Sequence, residues 1–511
     1  MSVGQGNPGV HAPPAGVQNA AGVTYTTVDE SYFEARRLKR HARVWSLWAL
    51  GVGAVISGHY SGWNLGLVNG FGSMFFATII IAVMYLGLTF SLAEMSPALP
   101  HTGGAYSFAR TSMGPWAGYI TGIAENIEFV LTPAVIVFFI SAYLGTIFET
   151  APAFQPVYWI LFYALFVGLN IVGVELSFRV TVGVTVAALA VLAFFYASVL
   201  FSGQFDFSRW ALNIGPDGAE LPNGGGPFLP HGALGILASL PFAVWLFLAI
   251  EQLPLAAEES HDPQADMPRG IIAGILTLIA SAFLVLFLNT GIAPGAAGLG
   301  KSSEPLLDGF RTLFGTDIAK ILAAIAVVGL IASFHTIIFA FGRQIYSLSR
   351  AGYFPSFLSV THGERKSPHV ALIAGAVAGL AVMMIIWFSM GAEASNSIIG
   401  ATLLNMAVAG AMLAYFMQGM SYIVLKRKFP NLHRPYKSPF GIAGAAICMI
   451  IAAVTLVFQL TDPVFQTAVI GVAVYYAVMM AYFLLVGRHK LILSPEEEFA
   501  LTKGESEYKS Y

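Results

Sequence analysis

Apolar residues run along this chain in long stretches that polar residues interrupt mainly at the ends. Twelve of these stretches hold about 20 residues or more, the length that an α-helix needs to cross a bilayer. The predicted crossings are 44–68, 71–97, 116–145, 155–174, 179–202, 233–257, 270–292, 318–347, 370–390, 397–425, 441–460 and 464–487. The pattern therefore predicts an all-α polytopic membrane protein with twelve transmembrane helices.

Two of the crossings break their own apolar pattern. The first contains "ISGHYSGWN" at 56–64, and the sixth reads "LPFAVWLFLAIEQLPLAAEES" over 240–260, with Glu251 inside it. Backbone that leaves the helix inside a bilayer is tolerated only where protein covers it or where it lines a cavity. Interrupted helices at matching places are typical of transporters built from inverted repeats, so we expect a five-plus-five repeat with breaks near Ser57–Gly62 and Phe247–Gln252. Chance kinks at both places are the alternative.

The third crossing carries two acidic residues near its middle. In "GYITGIAENIEFVLTPA", Glu125 and Glu128 are three positions apart and share one helix face with Thr121 and Thr132. A carboxylate at that depth costs roughly 3 kcal/mol unless it is protonated, paired or hydrated. The neighbouring apolar stretches supply no lysine or arginine except Arg179. A cationic substrate is therefore one candidate partner, and a protonated pair bonded to adjacent helices is the alternative.

Composition excludes several classes of protein. The chain is 57% hydrophobic and 10% charged with a mean hydropathy of +0.73, whereas soluble domains hold roughly 25% charged residues. A formal net charge of −2 provides no basic field for nucleic acid. The single cysteine, Cys448, excludes an intramolecular disulfide, and no secretory signal peptide is visible. Because no metal-ligand cluster or nucleophile–base pair lies near the predicted membrane centre, we expect no enzyme and no metal site.

Lysine and arginine are distributed unevenly between the two sides of the predicted membrane. All 25 lie on the side of the N-terminus except Arg209, Lys301, Arg311 and Lys320. Positive charge is retained on the cytoplasmic side, so both termini are predicted to be cytoplasmic. The basic stretch "SYFEARRLKRHARVW" over 31–45 predicts a short helix at the anionic membrane surface.

These features divide the chain into six segments. Residues 1–43 form a cytoplasmic tail that ends in the interfacial helix, and the first 30 residues are expected to be disordered. The remaining segments are the first repeat at 44–202, an extracellular loop at 203–232, the second repeat at 233–425, crossings 11 and 12 at 426–487, and a cytoplasmic tail at 488–511.

Three motifs resemble those of a known superfamily. "FSLAEMSPALPHTGGAYSFARTSMGPWAGYITG" (90–122), "EESHDPQADMPRGI" (258–271) and "RQIYSLSRAGYFP" (343–355) are similar to signatures of the amino acid–polyamine–organocation transporters. The likeness covers roughly residues 44–490. Within the superfamily, "VISGHYSGWNLGL" and "AENIEFVLTPAVIV" are most similar to the ethanolamine permease branch. The resemblance implies a five-plus-five inverted-repeat fold, no enzymatic activity and no organic cofactor.

The resemblance also implies a binding role for the first-helix break. Amino-acid permeases of the superfamily carry Gly-Ser-Gly-Ile-Phe there, where this chain has Ser57, Gly58, His59, Tyr60 and Ser61. Bulky His59 replaces a glycine that lets a substrate carboxylate approach the backbone. The loss of that anion site, together with the acidic residues of crossing 3, fits an ammonium substrate that has no carboxylate.

Further positions follow from the family pattern. Trp245 matches a substrate-packing residue, Glu251 a proton-linked gate and Asn126 a substrate-contacting position. Ala249 stands where the family has glycine, which leaves the extent of unwinding open. Ala188 stands where some proton-coupled relatives carry a lysine, while hydroxyls in "IASFHTII" offer a weak signal for sodium ligands.

Together these observations predict a secondary transporter that imports ethanolamine or a similar small amino alcohol by alternating access. It would work as a monomer or homodimer in a bacterial-type inner membrane, and a proton is favoured over sodium as its coupling ion. The alternatives are an amino-acid permease of the same superfamily, or a channel or substrate sensor.

The predicted binding geometry assigns the two ends of the substrate to different crossings. Glu128 is the expected ammonium partner, with Glu125 as its proton-sharing neighbour. Trp245 and Phe247 would cover the ethylene segment. The substrate hydroxyl would bind Tyr60 or the backbone at Ser57 and Gly58.

Overall fold

Sixteen α-helices and five short strands make up the described part of the chain, which comprises residues 10–11, 19–36, 38–211 and 227–493 of the computed structural model. The helices are α1 (Glu30–Glu34), α2 (Val44–Val55), α3 (Phe71–Ala98), α4 (Gly104–Met113), α5 (Pro115–Phe148), α6 (Gln155–Val172), α7 (Val174–Phe201), α8 (Gly232–Trp245), α9 (Pro263–Thr290), α10 (Gly295–Leu299), α11 (Pro305–Phe314), α12 (Thr316–Arg350), α13 (His369–Met390), α14 (Ala392–Lys428), α15 (Gly441–Thr461) and α16 (Gln466–Leu485). The strands are β1 (Val10–His11), β2 (Asn19–Ala20), β3 (Val23–Thr26), β4 (Val28–Asp29) and β5 (Leu491–Ile492). Parts of the predicted tails and of the 203–232 loop lie outside the described residues, namely 1–9, 12–18, 212–226 and 494–511.

Twelve crossings are present in this described part. Eleven helices are long and apolar enough to span a membrane, and the shorter apolar stretch Val44–His59 adds one more. Crossing 1 is α2 followed by the 3₁₀ segments Ile56–His59 and Trp63–Asn69, and crossing 6 is α8 followed by the 3₁₀ segment Ile250–Glu259. Crossings 2 to 5 are α3, α5, α6 and α7, and crossings 7 to 12 are α9, α12, α13, α14, α15 and α16. The predicted all-α polytopic architecture with broken helices 1 and 6 is confirmed.

The predicted helix boundaries differ most at the start of crossing 7. The helix begins at Pro263 rather than at 270. Asp262 caps it by accepting a hydrogen bond from the Ala265 N–H, and a proline in the first turn has no N–H that needs a partner. The polar residues 263–269 therefore extend the helix beyond the apolar stretch from which the prediction was made.

Crossing 3 forms the centre of the helix assembly. In the most apolar part of crossing 3, 89% of the residues are buried within the protein, whereas the corresponding share for crossing 12 is 11%. Crossing 3 (α5) packs against crossing 8 (α12), and crossing 2 (α3) packs against crossing 7 (α9). These pairs occupy equivalent places in a five-plus-five arrangement, although the superposition of 44–202 on 233–425 stays a prediction.

The described segments near the two ends of the chain lie on one face of the molecule, which we call the terminal face and define by residues 19–36, 38–43 and 487–493. β3 runs parallel to β5 there, and its residues Val23 and Tyr25 are buried. The prediction that the first 30 residues form a disordered tail is therefore wrong for 19–29. Strand pairing and apolar burial hold this segment on the helices.

The predicted interfacial helix over 31–45 is much shorter in the structure. Helix α1 has five residues, and 38–43 contain no helix. The N–H groups of His41 and Ala42 donate to the Glu259 carbonyl oxygen at 2.8 and 2.9 Å. Backbone hydrogen bonds to another part of the chain thus replace those that a helix would make, which the basic pattern alone does not reveal.

Candidate functional site

The interrupted parts of crossings 1 and 6 lie against each other. A Cβ atom on Gly58 would stand 2.2 Å from the carbonyl oxygen of Trp245, so only glycine permits this approach. The indole N–H of Trp245 donates to the Ser61 carbonyl oxygen at 3.0 Å, and Gly62 turns the chain with φ +94°. The two broken helices therefore cover and partly satisfy each other's polar backbone, as burial in a membrane requires.

Crossing 6 unwinds without a glycine. Its α-helix ends at Trp245, and Ala249 adopts a left-handed backbone with φ +83°, which costs an L-residue roughly 1–2 kcal/mol. A Glu251 carboxyl oxygen accepts a hydrogen bond from the Ala249 N–H at 3.1 Å and stabilises the turn. The structure thus settles the extent of unwinding, since the 3₁₀ segment begins at Ile250.

Three carboxyl groups meet beside this break. Glu125, Glu128 and Glu251 are each at most 3% exposed. Glu128 and Glu251 lie close enough to act on each other electrostatically, and Glu125 lies close enough to act on both. We call these three residues the carboxyl cluster. The structure therefore unites the acidic pair of crossing 3 with the acidic residue of crossing 6.

Two glutamine side chains hold Glu125 in place. The Gln344 amide of crossing 8 donates to one Glu125 oxygen at 3.1 Å, and the Gln418 amide of crossing 10 lies 3.5 Å from the other oxygen. Neither glutamine was identified from the sequence. The sequence shows each glutamine only as an amide inside an apolar run. That pattern does not indicate which neighbouring helix the amide faces.

Two tyrosines and a phenylalanine enclose the Glu128 side of the cluster. The Tyr415 hydroxyl donates to a Glu128 oxygen at 3.4 Å and lies 2.9 Å from the Tyr85 hydroxyl. The Tyr85 ring is centred 5.4 Å from the ring of Phe247, on the unwound part of crossing 6. Sequence reasoning identified Phe247 but missed both tyrosines, because tyrosine is common in membrane helices and its hydroxyl carries no sequence motif.

No basic side chain of the described residues balances the carboxyl cluster. Among the described residues, no lysine, arginine or histidine forms an ion pair with any of its three members. One oxygen each of Glu128 and Glu251 has no hydrogen-bond partner among the described protein atoms. In the same described ranges, no group of three or more His, Cys, Asp or Glu side chains is arranged to hold a metal ion. The arrangement can accept hydrogen bonds and positive charge from an ammonium group.

The first-helix side chains predicted to contact a substrate point away from the cluster. His59 Nδ1 lies 2.8 Å from the Ser281 hydroxyl oxygen and its Nε2 lies 3.0 Å from the Leu246 carbonyl oxygen. The Tyr60 hydroxyl donates to the Ala188 carbonyl oxygen at 2.7 Å. Both side chains are therefore engaged with backbone and side-chain groups of crossings 5, 6 and 7.

Other predicted polar groups of crossing 3 also face elsewhere. The Asn126 amide donates to the Tyr475 hydroxyl at 3.2 Å, and Asn126 lines an apolar cavity of about 550 Å³ bounded by crossings 3, 9 and 12. The hydroxyls of Thr121 and Thr132 donate to carbonyl oxygens one turn earlier in their own helix, at 2.8 and 2.7 Å. The structure therefore does not bring Asn126 to the carboxyl cluster. Of the four polar residues predicted to share one face of crossing 3, only the two glutamates belong to the cluster.

A second pair of buried glutamates lies at the terminal face. Glu259 pairs with Arg343 at 2.8 Å, and Glu258 pairs with Arg350 at 2.5 Å. His101 lies 3.7 Å from the same Glu258 oxygen. We call Glu258, Glu259, Arg343 and Arg350 the terminal ion-pair cluster. It joins the end of crossing 6 to the end of crossing 8.

Sequence comparison decides the family. The model of the amino acid permease family matches residues 43–486. The chain belongs to this family. The permease is 26% identical over 419 residues to an uncharacterised transporter of Rhizobium meliloti, with 80% of the chain and 84% of the relative covered. It is 23% identical over 427 residues to a branched-chain amino acid permease of Bacillus subtilis, with 79% and 84% covered, and 22% identical over 476 residues to a methylthioribose transporter of that species, with 90% and 96% covered.

A solved structure shares the fold of the permease. A mutant manganese transporter of Eremococcus coleocola matches it with a TM-score of 0.54 and 14% identity, covering 92% of this chain and 98% of that one. The likeness at this identity concerns the fold alone. Family and fold together make the protein a multi-pass membrane transporter of the amino acid permease type, in a family of transporters rather than enzymes.

The face opposite the terminal face is covered by the segment 292–315 of the permease. The Asn64 side-chain amide donates to the carbonyl oxygens of Leu299 at 2.6 Å and Ser302 at 2.7 Å. The Ser61 hydroxyl donates to the Ser303 carbonyl oxygen at 3.3 Å. With the terminal ion-pair cluster on the other side, the permease encloses the carboxyl cluster from both faces.

The hydroxyls of crossing 8 considered as sodium ligands are engaged within the permease. The Ser333 hydroxyl donates to the Gly53 carbonyl oxygen at 2.6 Å and accepts from the Ser57 N–H at 2.8 Å. The Thr336 hydroxyl donates to a carbonyl oxygen one turn earlier at 2.9 Å. The same contacts occupy the Ser57 N–H that was considered as a donor to the substrate.

Proposed function

We propose that this permease imports ethanolamine or a similar small amino alcohol into the cytoplasm by alternating access. The proposed membrane is a bacterial-type inner membrane. The excess of lysine and arginine on the side of the N-terminus favours a terminal face that lies in the cytoplasm. The carboxyl cluster is the observation that carries the proposal. Three buried carboxyl groups with no basic partner among the described residues favour a cationic ligand, since a carboxylate left unpaired in an apolar interior is costly.

The proposed site binds the ammonium group between crossings 3 and 6. Glu128 is its main partner, and the Glu251 oxygen that has no hydrogen-bond partner among the described residues is the second. Glu125 shares a proton with this pair. The rings of Tyr85 and Phe247, centred 5.4 Å apart, cover the ethylene segment.

The hydroxyl end of the ligand requires a change from the sequence prediction. Tyr60 donates its hydroxyl to Ala188, so Tyr415 replaces it as the proposed partner. The Tyr415 hydroxyl already lies beside Glu128, at 3.4 Å. Trp245 keeps its predicted role as the apolar wall at the junction of the two breaks.

The proposed coupling ion is a proton. Glu251 and the crossing 3 glutamates are titratable groups on the substrate path, and adjacent carboxyl groups share protons readily. The Ser333 and Thr336 hydroxyls, in contrast, donate to backbone carbonyls of the permease. Ethanolamine is a cation at neutral pH, so an inside-negative potential adds about 2.3 kcal/mol per 100 mV to its uptake.

An amino-acid substrate is the second candidate. Relatives named as a branched-chain amino acid permease and as a D-serine/D-alanine/glycine transporter favour it, with 23% and 22% identity. An amino acid would also need a partner for its carboxylate. The Ser57 N–H at the first-helix break is bound to Ser333, which favours the amino alcohol over the amino acid.

Uptake by proteoliposomes tests the proposal. We expect labelled ethanolamine to accumulate under an inside-negative potential, and to accumulate further when the outside is acidic. Unlabelled ethanolamine should compete with it, while alanine and serine should not.

Three results would contradict parts of this account. Competition by alanine or serine at concentrations similar to ethanolamine would identify an amino-acid permease. Uptake that is unchanged when the proton gradient is collapsed at constant potential would remove the proton. A non-saturable flux would indicate a channel.

A further inference from the structure

One short stretch at the end of crossing 8, residues 343–352, holds three other parts of the chain. The side chains of Arg343 and Arg350 bind the two glutamates at the end of crossing 6. The stretch also contacts the N-terminal segment, residues 19–36 and 38–43, and the C-terminal segment, residues 487–493.

The N-terminal segment joins the ends of crossings 6 and 8. The Tyr346 hydroxyl donates to the Arg36 carbonyl oxygen, and the Tyr32 hydroxyl donates to the Arg350 carbonyl oxygen at 3.0 Å. Further along the segment, Ala42 forms a β-bridge with Ser260, directly after the terminal glutamate pair.

The C-terminal segment binds the same stretch from the other side. The Ile492 N–H donates to the Ala351 carbonyl oxygen at 3.1 Å, and Arg110 of α4 donates to the Ile492 carbonyl oxygen at 2.9 Å. Gly352 has φ +82°, and a Cβ atom there would stand 2.2 Å from the Lys490 carbonyl oxygen. Because β3 pairs with β5, the two terminal segments also hold each other.

We propose that the two terminal segments act as one clasp that keeps the terminal face closed and must release before the permease opens on that side. Opening requires the end of crossing 6 to separate from the end of crossing 8. The N-terminal segment spans both ends, so this separation breaks its contacts with one of them. The C-terminal segment fixes crossing 8 to α4 and fixes the N-terminal segment through β3. The clasp concerns access alone and does not depend on which substrate is carried.

A reporter cysteine on the closed face tests the clasp without any substrate. Cys448, the one cysteine of the sequence, is replaced by serine, and Ala257→Cys is introduced beside the terminal glutamates, where Ala257 is buried. The rate of labelling by a membrane-impermeant maleimide from the terminal side then measures opening. Tyr346→Phe keeps the ring but removes the clasp hydrogen bond to Arg36, together with one that the hydroxyl accepts from Arg350 at 3.2 Å. Arg350 keeps its hydrogen bonds to both oxygens of Glu258. We expect it to raise the labelling rate about fivefold, the population shift that matches a net hydrogen-bond contribution of about 1 kcal/mol.

The C-terminal half of the clasp has a matched pair of truncations. A chain that ends at Gly487 lacks β5 and should label faster than Tyr346→Phe, whereas a chain that ends at Leu493 keeps β5 and should label at the parent rate. Ile492→Pro removes the N–H bound to Ala351, together with the buried isoleucine side chain, and should also label faster. It serves if the shorter chain does not fold. Parent-like labelling of Tyr346→Phe and Ile492→Pro would overturn the proposal. The proposal would also be overturned if the chain that ends at Leu493 were labelled as fast as the chain that ends at Gly487.

Discussion

The permease buries two groups of glutamates in opposite surroundings. In the terminal ion-pair cluster, each carboxylate has an arginine within 2.8 Å. In the carboxyl cluster, the neighbours are the amides of Gln344 and Gln418 and the hydroxyl of Tyr415, which supply hydrogen bonds but no positive charge. Both groups contain residues of the segment Ile250–Glu259, so a single unwound stretch supplies the two kinds of site.

The difference indicates which buried charges serve structure and which serve transport. A buried ion pair is complete without a ligand, and it breaks only when its two helices separate. A buried carboxyl pair without a cation is incomplete, and a membrane-embedded acidic residue of this kind marks a functional position by default. In the proposed account, the ion pairs therefore hold the closed state, while the carboxyl cluster binds the ligand.

The largest expected effect comes from breaking an ion pair. Arg343→Gln leaves Glu259 buried without its partner, and we expect a loss of about 3–5 kcal/mol in the free energy of unfolding. Denaturant unfolding of the purified protein in a fixed detergent measures this loss. The double variant Arg343→Gln/Glu259→Gln removes both charges and should recover much of the stability. A single variant as stable as the parent would show that the pair does not hold the terminal face.

In the carboxyl cluster, removing a charge is expected to weaken ligand binding and to leave the stability of the fold unchanged. Glu128→Gln preserves size and hydrogen bonding but removes the charge, so ethanolamine binding should weaken by at least about 1.5 kcal/mol, or more than tenfold in Kd. Stability should not fall, because no cationic partner is left unpaired. Equilibrium binding of labelled ethanolamine and unfolding of the same preparation measure the two effects. If Glu128→Gln binds like the parent while Glu251→Gln abolishes binding, the ammonium site belongs to crossing 6.

The sequence predicts which crossings carry the site better than it predicts which side chains meet there. The apolar runs locate the twelve crossings, and the polar interruptions locate both breaks, because a bilayer tolerates few alternatives to a continuous apolar helix. The rotation of each crossing about its axis is set by packing against its neighbours. For this reason Glu125 and Glu128 could be identified as a pair, but Tyr85, Tyr415 and the two glutamines could not be identified as their partners.

The contacts that the sequence did not predict have the same physical origin. His59 and Tyr60 lie in the predicted break, where the α-helix gives way to a 3₁₀ segment and a turn, so the α-helical period no longer indicates where a side chain points. At the terminal face, strand pairing joins Tyr25 to Leu491, which is more than 450 positions away in the sequence. No local sequence pattern predicts such a pairing. Local propensity is a weak guide wherever tertiary hydrogen bonds decide the backbone.

A smaller effect is expected at the third carboxyl group. Glu125 already accepts hydrogen bonds from two amides, so Glu125→Gln should weaken ethanolamine binding by only about 0.5–1.5 kcal/mol. Its main effect should be on coupling, since the variant removes one site from the proton-sharing group. Comparing uptake with and without an acidic exterior measures that effect. A variant that keeps the full pH response while losing more than tenfold in affinity would make Glu125, not Glu128, the ammonium partner.

The smallest effect on binding is expected one residue along the same helix. Asn126 points toward Tyr475 and the apolar cavity, about 100° around crossing 3 from Glu125. Asn126→Ala loses that hydrogen bond, so it should reduce stability by about 1 kcal/mol while leaving ethanolamine affinity within about twofold of the parent. Measured beside Glu128→Gln, it separates damage to crossing 3 from loss of the ligand partner, because both variants alter the same buried helix. A loss of affinity as large as that of Glu128→Gln would mean that crossing 3 turns its Asn126 face toward the ligand during transport.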